Sequence, residues 1–494
     1  MRPPRPRWEI PLYLALALLT GACLRLAFPN YDVYWLAAFA LTPLLFALAR
    51  EDSAKRRFLY GWMAGFVYWF WLCIWIQFVL QVHAYMGVFG SWGSFVLFSA
   101  LKAIHLAVFA WLAGPLMWRA YAIPAIAALW VGLERTHGTF GFAWLDLGNA
   151  GINMSLPLRL APYVGVYGLS FVFVMLSVAI AIVVLRYPRK HLWPLAALGV
   201  LYALPAVPQH FKASQQVLVV QPNVDTEKEW TLASETQAEQ HLQVISDAFD
   251  ARLVVWPELP APFYYYDDPV FRQEAQHIAR KHGYFLFGTV AHTPRNQPLN
   301  SAVLLGPQGN VIGRYDKVNL VPFGEFVPPL FSFVNRVTQE AGDFAPGHEI
   351  KVLPQPPNDL GVFICYESAF PDFVRQFARN GATVFFNLSN DGYFGHSAAR
   401  EQHLLLVRMR AVENRRFIVR ATNDGITASI DPAGRILRKL PLYQEVAALL
   451  PFDSVRSTTP YTQHGDWFAW SCLLIGVGLS LQTQLASRIR RSAS

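Results

Sequence analysis

Apolar residues come in blocks over the first two hundred positions. Near-continuous runs cover Ile10–Phe28, Tyr34–Leu48, Phe58–Val82, Val88–Leu116, Ile123–Leu133, Leu160–Leu185 and Leu192–Val207. One more, Trp467–Leu485, lies near the end. A helix needs about 20 apolar residues to cross a bilayer. The pattern therefore predicts about eight membrane spans, with Ile123–Leu133 the short one. The first run has no small-residue cleavage site and further spans follow at once, so it does not read as a removable leader. Between the last two runs the pattern changes. Short β-branched stretches, Gln216–Gln221, Arg252–Trp256, Tyr284–Val290, Ser301–Leu305, Gly361–Ile364, Thr383–Leu388, Phe417–Ala421 and Ile426–Ile430, read as strands. Helical patterns at Ser234–Phe249, Pro269–Lys281, Pro371–Asn380 and Ala398–Glu413 alternate with them, which predicts a layered α/β domain.

Composition agrees with a membrane protein. Of 494 residues 54% are hydrophobic and only 15% charged, against about 25% in soluble chains. The net charge of +8 does not read as a nucleic-acid surface, because the basic residues cluster at the ends of apolar runs. With a cytoplasmic N-terminus, the inner flanks hold Arg2, Arg5 and Arg7, then Arg50, Lys55, Arg56 and Arg57, then Arg119, then Arg186, Arg189 and Lys190, and finally Arg488, Arg490 and Arg491. The outer loops Pro29–Val33 and His83–Met86 hold no Lys or Arg, and Arg25 is a mild exception. This asymmetry predicts a bundle over residues 1–208, an extracytoplasmic domain over 209–465, and a last span with a basic cytoplasmic tail over 466–494. In a Gram-negative host the domain would stand in the periplasm. Lys102 and His105 fall inside the fourth run, where they either line a polar bundle interior or do chemistry. The aromatics of Gly141-Phe142-Ala143-Trp144-Leu145 read as interface anchors or as lipid contacts.

The polar region carries the chemistry. Glu258 follows the strand Arg252–Trp256, Cys365 follows Gly361–Ile364, and Asn390 and Asp391 follow Thr383–Leu388. Working residues of open α/β sheets collect at the carboxyl ends of strands, so three strand ends deliver a carboxylate, a thiol and an amide–carboxylate pair to one edge. Of the cysteines 23, 73, 365 and 472, only Cys365 leaves the apolar runs. It has no disulfide partner nearby and no zinc-type spacing, which makes it an inert core residue or a nucleophile. A thiol attacks as thiolate and needs a base and a cation; Glu258 and Lys317 are the groups at hand. No histidine is placed for a Cys–His pair. Taken singly each residue has a plain alternative: Glu258 a helix cap, Lys317 a surface charge, Cys365 core.

The stretches Trp256-Pro257-Glu258, Tyr315-Asp316-Lys317, Leu320-Val321-Pro322-Phe323-Gly324-Glu325, Ile364-Cys365-Tyr366-Glu367, Ser389-Asn390-Asp391 and Arg420-Ala421-Thr422-Asn423 together resemble the nitrilase superfamily. With the apolar runs and Gly165-Val166-Tyr167-Gly168-Leu169-Ser170, the whole chain is similar to the bacterial apolipoprotein N-acyltransferases. That resemblance implies an α-β-β-α sandwich beside a polytopic bundle. It implies Glu258 as general base, Lys317 as oxyanion stabiliser and Cys365 as nucleophile. Glu325 and Glu367 match supporting acidic positions, and Trp230, Tyr366 and Tyr393 match aromatic positions near a lipid entrance. Tyr393 stands where the family usually has Trp, and Asn319 where it commonly has His. The implied reaction moves an acyl chain from the sn-1 position of a phospholipid, phosphatidylethanolamine, onto the α-amine of a diacylglyceryl-cysteine apolipoprotein, through a Cys365 thioester, in a monomer of the inner membrane without metal or cofactor. Two rivals are a membrane-anchored nitrilase-type amidase acting on a soluble amide, and a silent lipid-binding scaffold.

Overall fold

A computed structural model describes the chain except residues 1–8, 140–141, 226–229, 261–263, 323, 327–343 and 493–494. Arg2, Arg5, Arg7, Gly141 and Phe323 of the sequence reading lie outside the described residues, as do the side chains of Arg488, Arg490 and Arg491. The chain divides into two compact units: residues 1–77, 89–207 and 464–494, and residues 78–88 and 208–463.

The first unit is helical. Its helices are α1 Glu9–Leu26, α2 Thr42–Arg50, α3 Ala54–Leu72, α4 Trp75–Val82 (whose last turns belong to the second unit), α5 Val88–Leu116, α6 Ala122–Arg135, the single turn α7 Ala161–Val164, α8 Val166–Val184 and the single turn α9 Val200–Ala203. A long C-terminal helix covers Trp467–Ser492. Among the described residues four helices are long and apolar enough to cross a membrane: α1, α5, α8 and Trp467–Ala486. A fifth is added if α3 and α4, bent by 58° at a short break, form one span.

The sequence predicted about eight, and the difference has a physical cause. A run of apolar residues is a statement about solvent, whereas a span must also keep its backbone hydrogen bonds continuous. The run Tyr34–Leu48 breaks into a 3₁₀ turn, Tyr34–Ala38, and the short α2. The run Leu192–Val207 becomes a 3₁₀ stretch with Pro194 inside it, followed by α9; proline has no N–H to donate. Helix α6, over the short run, has 14 residues, or about 21 Å at 1.5 Å per residue. Gly165, at φ +69°, separates Leu160–Val164 from α8.

Two expectations inside this unit are resolved by packing. Lys102 is buried; its Nζ donates to the Phe142 carbonyl at 2.9 Å and lies 4.6 Å over the Trp69 ring. Trp144 and Leu145 are not surface anchors: they are 2% and 1% exposed, and Trp144 packs on Trp75 at 5.0 Å.

The second unit contains two six-stranded sheets. The strands are β1 Gln215–Gln221, β2 Leu253–Val255, β3 Tyr284–His292, β4 Pro298–Leu305, β5 Val311–Asp316, β6 Val352–Gln355, β7 Asn358–Ile364, β8 Val384–Ser389, β9 Ile418–Thr422, β10 Ala428–Ile430, β11 Ile436–Lys439 and β12 Val446–Phe452. The first sheet is ordered β12-β1-β2-β3-β4-β5 and the second β11-β10-β9-β8-β7-β6. Strand β1 shows why they stack. Successive side chains on a strand point to opposite faces. Val217 and Val219 enter a core shared with Val362, Ile364, Phe386 and Leu388 of the other sheet. Leu218 and Val220 pack instead with Leu242 of α10 (Leu232–Asp247) and with Phe271, Ala275 and Ile278 of α11 (Pro269–His282). Helices α12 (Pro371–Arg379) and α13 (Ala399–Asn414) pack on β7 and β9.

Strand direction decides where chemistry collects. β1, β2 and β3 run parallel, and β5 is two antiparallel steps from β3, so it runs their way. β7, β8 and β9 also run parallel. The ends of β2, β5, β7 and β8 carry Glu258, Lys317, Cys365 and Asn390.

Candidate active site

Four strand ends meet in one buried cluster. Lys317, the first residue after β5, is 1% exposed. Its Nζ donates to Glu258 Oε1 at 3.0 Å and to Glu325 Oε1 at 2.8 Å. Asn300 of β4 bridges the same two carboxylates, its Nδ2 donating to Glu258 Oε1 at 2.8 Å and Glu325 Oε1 at 2.7 Å. The Asn390 backbone N–H, from the end of β8 in the other sheet, donates to Glu258 Oε2 at 2.9 Å. Glu325 Oε2 accepts from Val321 N at 2.8 Å, closing the turn of the Val321–Glu325 motif on itself. Glu258 can reach this position because β3 approaches its backbone closely. A Cβ on Gly288 would lie 2.7 Å from Glu258 Cα and from the Pro257 carbonyl.

Cys365 caps β7 with φ +48°, and Leu259, next to Glu258, has φ +32°. A non-glycine residue in the left-handed region costs about 1–3 kcal/mol and persists only where its surroundings fix it. Glu367 does much of that fixing. Its Oε2 accepts from Ile364 N at 2.7 Å. Its Oε1 accepts from the Tyr315 hydroxyl at 2.6 Å, Val318 N at 2.8 Å and Asn319 N at 3.1 Å. One carboxylate thus staples the cysteine turn to the lysine loop. Burial pushes Glu367 up to about 7, against donors that hold the ionised form.

Electrostatics define the resting state. For Lys317 burial is the largest influence and lowers its pKa, but Glu258 and Glu325 together outweigh it, and the ammonium is held charged well above its ordinary range. For Cys365 burial and then the Glu258 charge push the thiol up, with Lys317 pulling against them. The thiol is therefore protonated at rest, beside a carboxylate able to accept its proton and an ammonium able to stabilise the resulting negative charge.

Of the residues singled out in the sequence, Glu258, Lys317, Glu325 and Asn390 are joined directly by hydrogen bonds. Cys365 couples to them through charge, and Glu367 supports the turn. Tyr393 as a whole is 39% exposed, but its hydroxyl end is desolvated and is raised to about 12 by that and then by Glu325 and Glu258, in the field of the cluster. Its ring lies tilted by 35° against that of His83, the centroids 4.3 Å apart. Tyr366 is buried with its ring on Phe370 at 5.1 Å. Trp230 stands half-buried on the segment leading into α10.

Asp391 corrects the expectation of an amide–carboxylate pair at the edge. It is fully buried beneath the site, its carboxylate bound by Arg420 Nη2 at 2.6 and 2.7 Å and facing His403 Nδ1 at 3.0 Å. Burial alone would raise its pKa, but Arg420 and His403 hold it far below the ordinary carboxylate range. His403 in turn donates from Nε2 to the Cys365 carbonyl at 3.0 Å. A histidine is thus placed at Cys365 after all, on its backbone rather than its sulfur. Asn300 was also missed; the available signal was an amide next to Ser301 in a strand whose other residues are apolar.

Comparison with known proteins follows the same division of the chain. Residues 216–459 match the carbon-nitrogen hydrolase family model. Residues 20–179 match the model of the apolipoprotein N-acyltransferase N-terminal domain. Among solved structures, an amidase from Nesterenkonia sp. aligns with a TM-score of 0.38 at 20% identity, covering 52% of this chain and 95% of that one. An apolipoprotein N-acyltransferase of Methylococcus capsulatus is 30% identical over 97% of each chain. That of Geobacter metallireducens is 34% identical over 96% of this chain and 95% of its own. Such identity along nearly the whole length means that the chain belongs to the apolipoprotein N-acyltransferase family.

Proposed function

We propose that this protein moves a fatty acyl chain from the sn-1 position of a phospholipid, phosphatidylethanolamine, to the N-terminal α-amine of diacylglyceryl-cysteine on an apolipoprotein. In the first half-reaction the Cys365 thiol gives its proton to Glu258, and the sulfur attacks the ester carbonyl. Lys317 stabilises the oxyanion. Collapse expels the lysophospholipid oxygen, which takes the proton back from Glu258. In the second, the lipoprotein amine attacks the thioester, Glu258 removes its proton, and the sulfur leaves to regain a proton as the free thiol. The observation carrying this reading is the buried ammonium of Lys317, 3.0 Å from Glu258 and 2.8 Å from Glu325, beside a strained cysteine at a strand end.

Glu325, Asn390 and Glu367 position these groups, and Tyr366, Tyr393 and Trp230 line the approach of the acyl chains. The catalytic domain, residues 209–465, stands in the periplasm, with both termini cytoplasmic, and the protein acts as a monomer. The asymmetry of Lys and Arg among the loops supports that orientation.

The test is mass spectrometry of the purified protein after incubation with phosphatidylethanolamine, beside Cys365→Ala. A fatty-acyl mass on the Cys365 peptide, removed by hydroxylamine and absent from the variant, is the expected result. A folded protein that takes no acyl group but hydrolyses a soluble amide would overturn the phospholipid donor and favour an amidase.

A further inference from the structure

Behind Cys365 lies a buried polar network that ends on the backbone of the nucleophile. Asp391, His403 and Arg420 are fully buried. They come from three elements: the end of β8, helix α13 and strand β9. Arg420 is held along its length. Its Nε donates to the Ile426 carbonyl at 3.2 Å, its Nη1 to Asn387 Oδ1, and its Nη2 to both oxygens of Asp391 at 2.6 and 2.7 Å. Ser389 Oγ donates to Asp391 Oδ1 at 2.8 Å. The carboxylate sits against bare backbone, since a Cβ on Gly425 would collide with it. Phe394 stands nearly perpendicular to the His403 ring, at 87° with centroids 5.7 Å apart, which fixes the plane of the imidazole.

The partners of His403 decide where its proton sits. Nε2 lies 3.0 Å from the Cys365 carbonyl oxygen. That oxygen can only accept, so Nε2 carries a proton. Nδ1 lies 3.0 Å from Asp391 Oδ1 and 3.1 Å from Arg420 Nη2. Arg420 already supplies the positive charge that Asp391 needs, and its N–H can donate to a bare Nδ1. Burial and then Arg420 push His403 below its ordinary range, with Asp391 opposing. The network therefore selects a neutral ring protonated at Nε2.

A buried charged network is weak evidence for stability, because apolar side chains of similar volume often serve a core as well. What apolar packing does not supply is a directed N–H. Here that N–H meets the carbonyl whose direction sets ψ of Cys365. The residue sits at φ +48°, a conformation that persists only where its surroundings fix it. Glu367 holds the incoming side of the turn through Ile364 N at 2.7 Å. His403 holds the outgoing side. We infer that His403 is a positioning residue for acyl transfer: fixed by Asp391 and Arg420, it locks the Cys365 carbonyl and so aims the sulfur at Glu258 and Lys317. This rests on Cys365 as nucleophile and Glu258 as its base.

The test compares His403→Gln with His403→Met in the full-length protein in detergent. The two side chains are close in length and volume, and only glutamine carries an N–H for the carbonyl. Two rates are read. One is acyl-enzyme formation across a range of phosphatidylethanolamine concentrations. The other is alkylation of Cys365 by iodoacetamide, which needs no phospholipid. A small displacement imposed on a reacting group from a distance costs up to about 10²-fold, so His403→Met should lower both rates by about 10–100-fold. The phospholipid concentration at half-maximal rate should stay within about threefold of the parent, because binding is untouched. His403→Gln should bring both rates back to within about fivefold of the parent. A folded His403→Met protein that reacts at the parental rate overturns the inference. So does a His403→Gln protein as slow as His403→Met, which marks a purely structural imidazole. Should His403→Met fail to fold, nitrogen NMR of the parent carrying labelled histidine decides, with the His403 signal identified by its loss in His403→Gln. A neutral ring protonated at Nε2 is expected, and one protonated at Nδ1 overturns the inference. A parent that is alkylated at Cys365 but takes no acyl group removes the phospholipid donor, and the alkylation rates then judge His403 alone.

Discussion

Lys102 and Lys317 are both buried, one in each unit, and they are held in opposite ways. Lys317 lies between two carboxylates and beside a thiol. Lys102 gives one hydrogen bond to a backbone carbonyl and rests on an indole. The first arrangement fixes a positive charge at a chosen point, which is what a developing oxyanion needs. The second satisfies the ammonium and pins the loop around Phe142 to α5. A buried lysine in an apolar run invites a functional reading by default; its partners decide whether that reading is needed.

The comparison is broken most directly at Lys317. Lys317→Met should lower the rate of acyl-enzyme formation by at least about 10²–10³-fold, the usual cost of losing one oxyanion donor. It should also cost about 3–5 kcal/mol of stability, since Glu258 and Glu325 then face each other without a cation. Lys317→Arg should rescue neither, because a planar guanidinium does not fit a point-charge site. Single-turnover acylation and denaturant unfolding measure both; a rate within tenfold of the parent would remove Lys317 from the chemistry.

Asn300→Ala comes next. It removes one donor from each glutamate while keeping all charges. Hydrogen bonds to charged groups are worth about 1.5–3 kcal/mol, so acylation should slow by about 10–100-fold with the thioester still formed. An unchanged rate would mean that Lys317 alone positions Glu258.

Lys102→Met should have the smaller effect, on stability alone. An orphaned buried carbonyl costs about 1–3 kcal/mol, and acyl-enzyme formation by the folded protein should stay within about tenfold of the parent. Loss of acylation in a folded Lys102→Met protein would make the two lysines alike and overturn the distinction.

The pH dependence sharpens the contrast with the smallest expected change. The folded pKa of Lys317 is raised. Its contribution to stability is therefore complete below the unfolded lysine value, near 10.4, and is lost only as pH rises through the higher folded value. Between about pH 7 and 10 this group should cost neither stability nor rate. Thermal melts and acylation rates across that window check it; a fall centred near pH 8 would show a lysine already losing its proton.

The chemistry was legible in the sequence because it sits at the ends of central strands. Strands β1, β2, β3, β4, β7, β8, β9 and β10 were all anticipated, and Glu258, Cys365 and Asn390 follow three of them directly. Strands β5, β6, β11 and β12 were not, and they are the four edges of the two sheets. An edge strand need not be apolar on both faces; all of β11 is exposed, so it carries no β-branched run to notice. Lys317 follows one of these edges, β5, so no apolar strand in the sequence announces its position as it does for the other three.

The sequence by itself determined which residues avoid water and which carry reactive groups, because hydrophobicity and side-chain chemistry belong to each residue alone. It therefore set the apolar blocks, the central strands and the order Glu258, Lys317, Cys365. Tertiary structure decided what depends on partners distant in the chain. It set aside Asp391 for Arg420 and His403, recruited Asn300, and split apolar runs where backbone hydrogen bonding fails. It also gave Lys317 two carboxylates and Lys102 a carbonyl. Burial is a property that composition can foretell; the neighbour that makes a buried charge tolerable is fixed only when separate strands and helices meet.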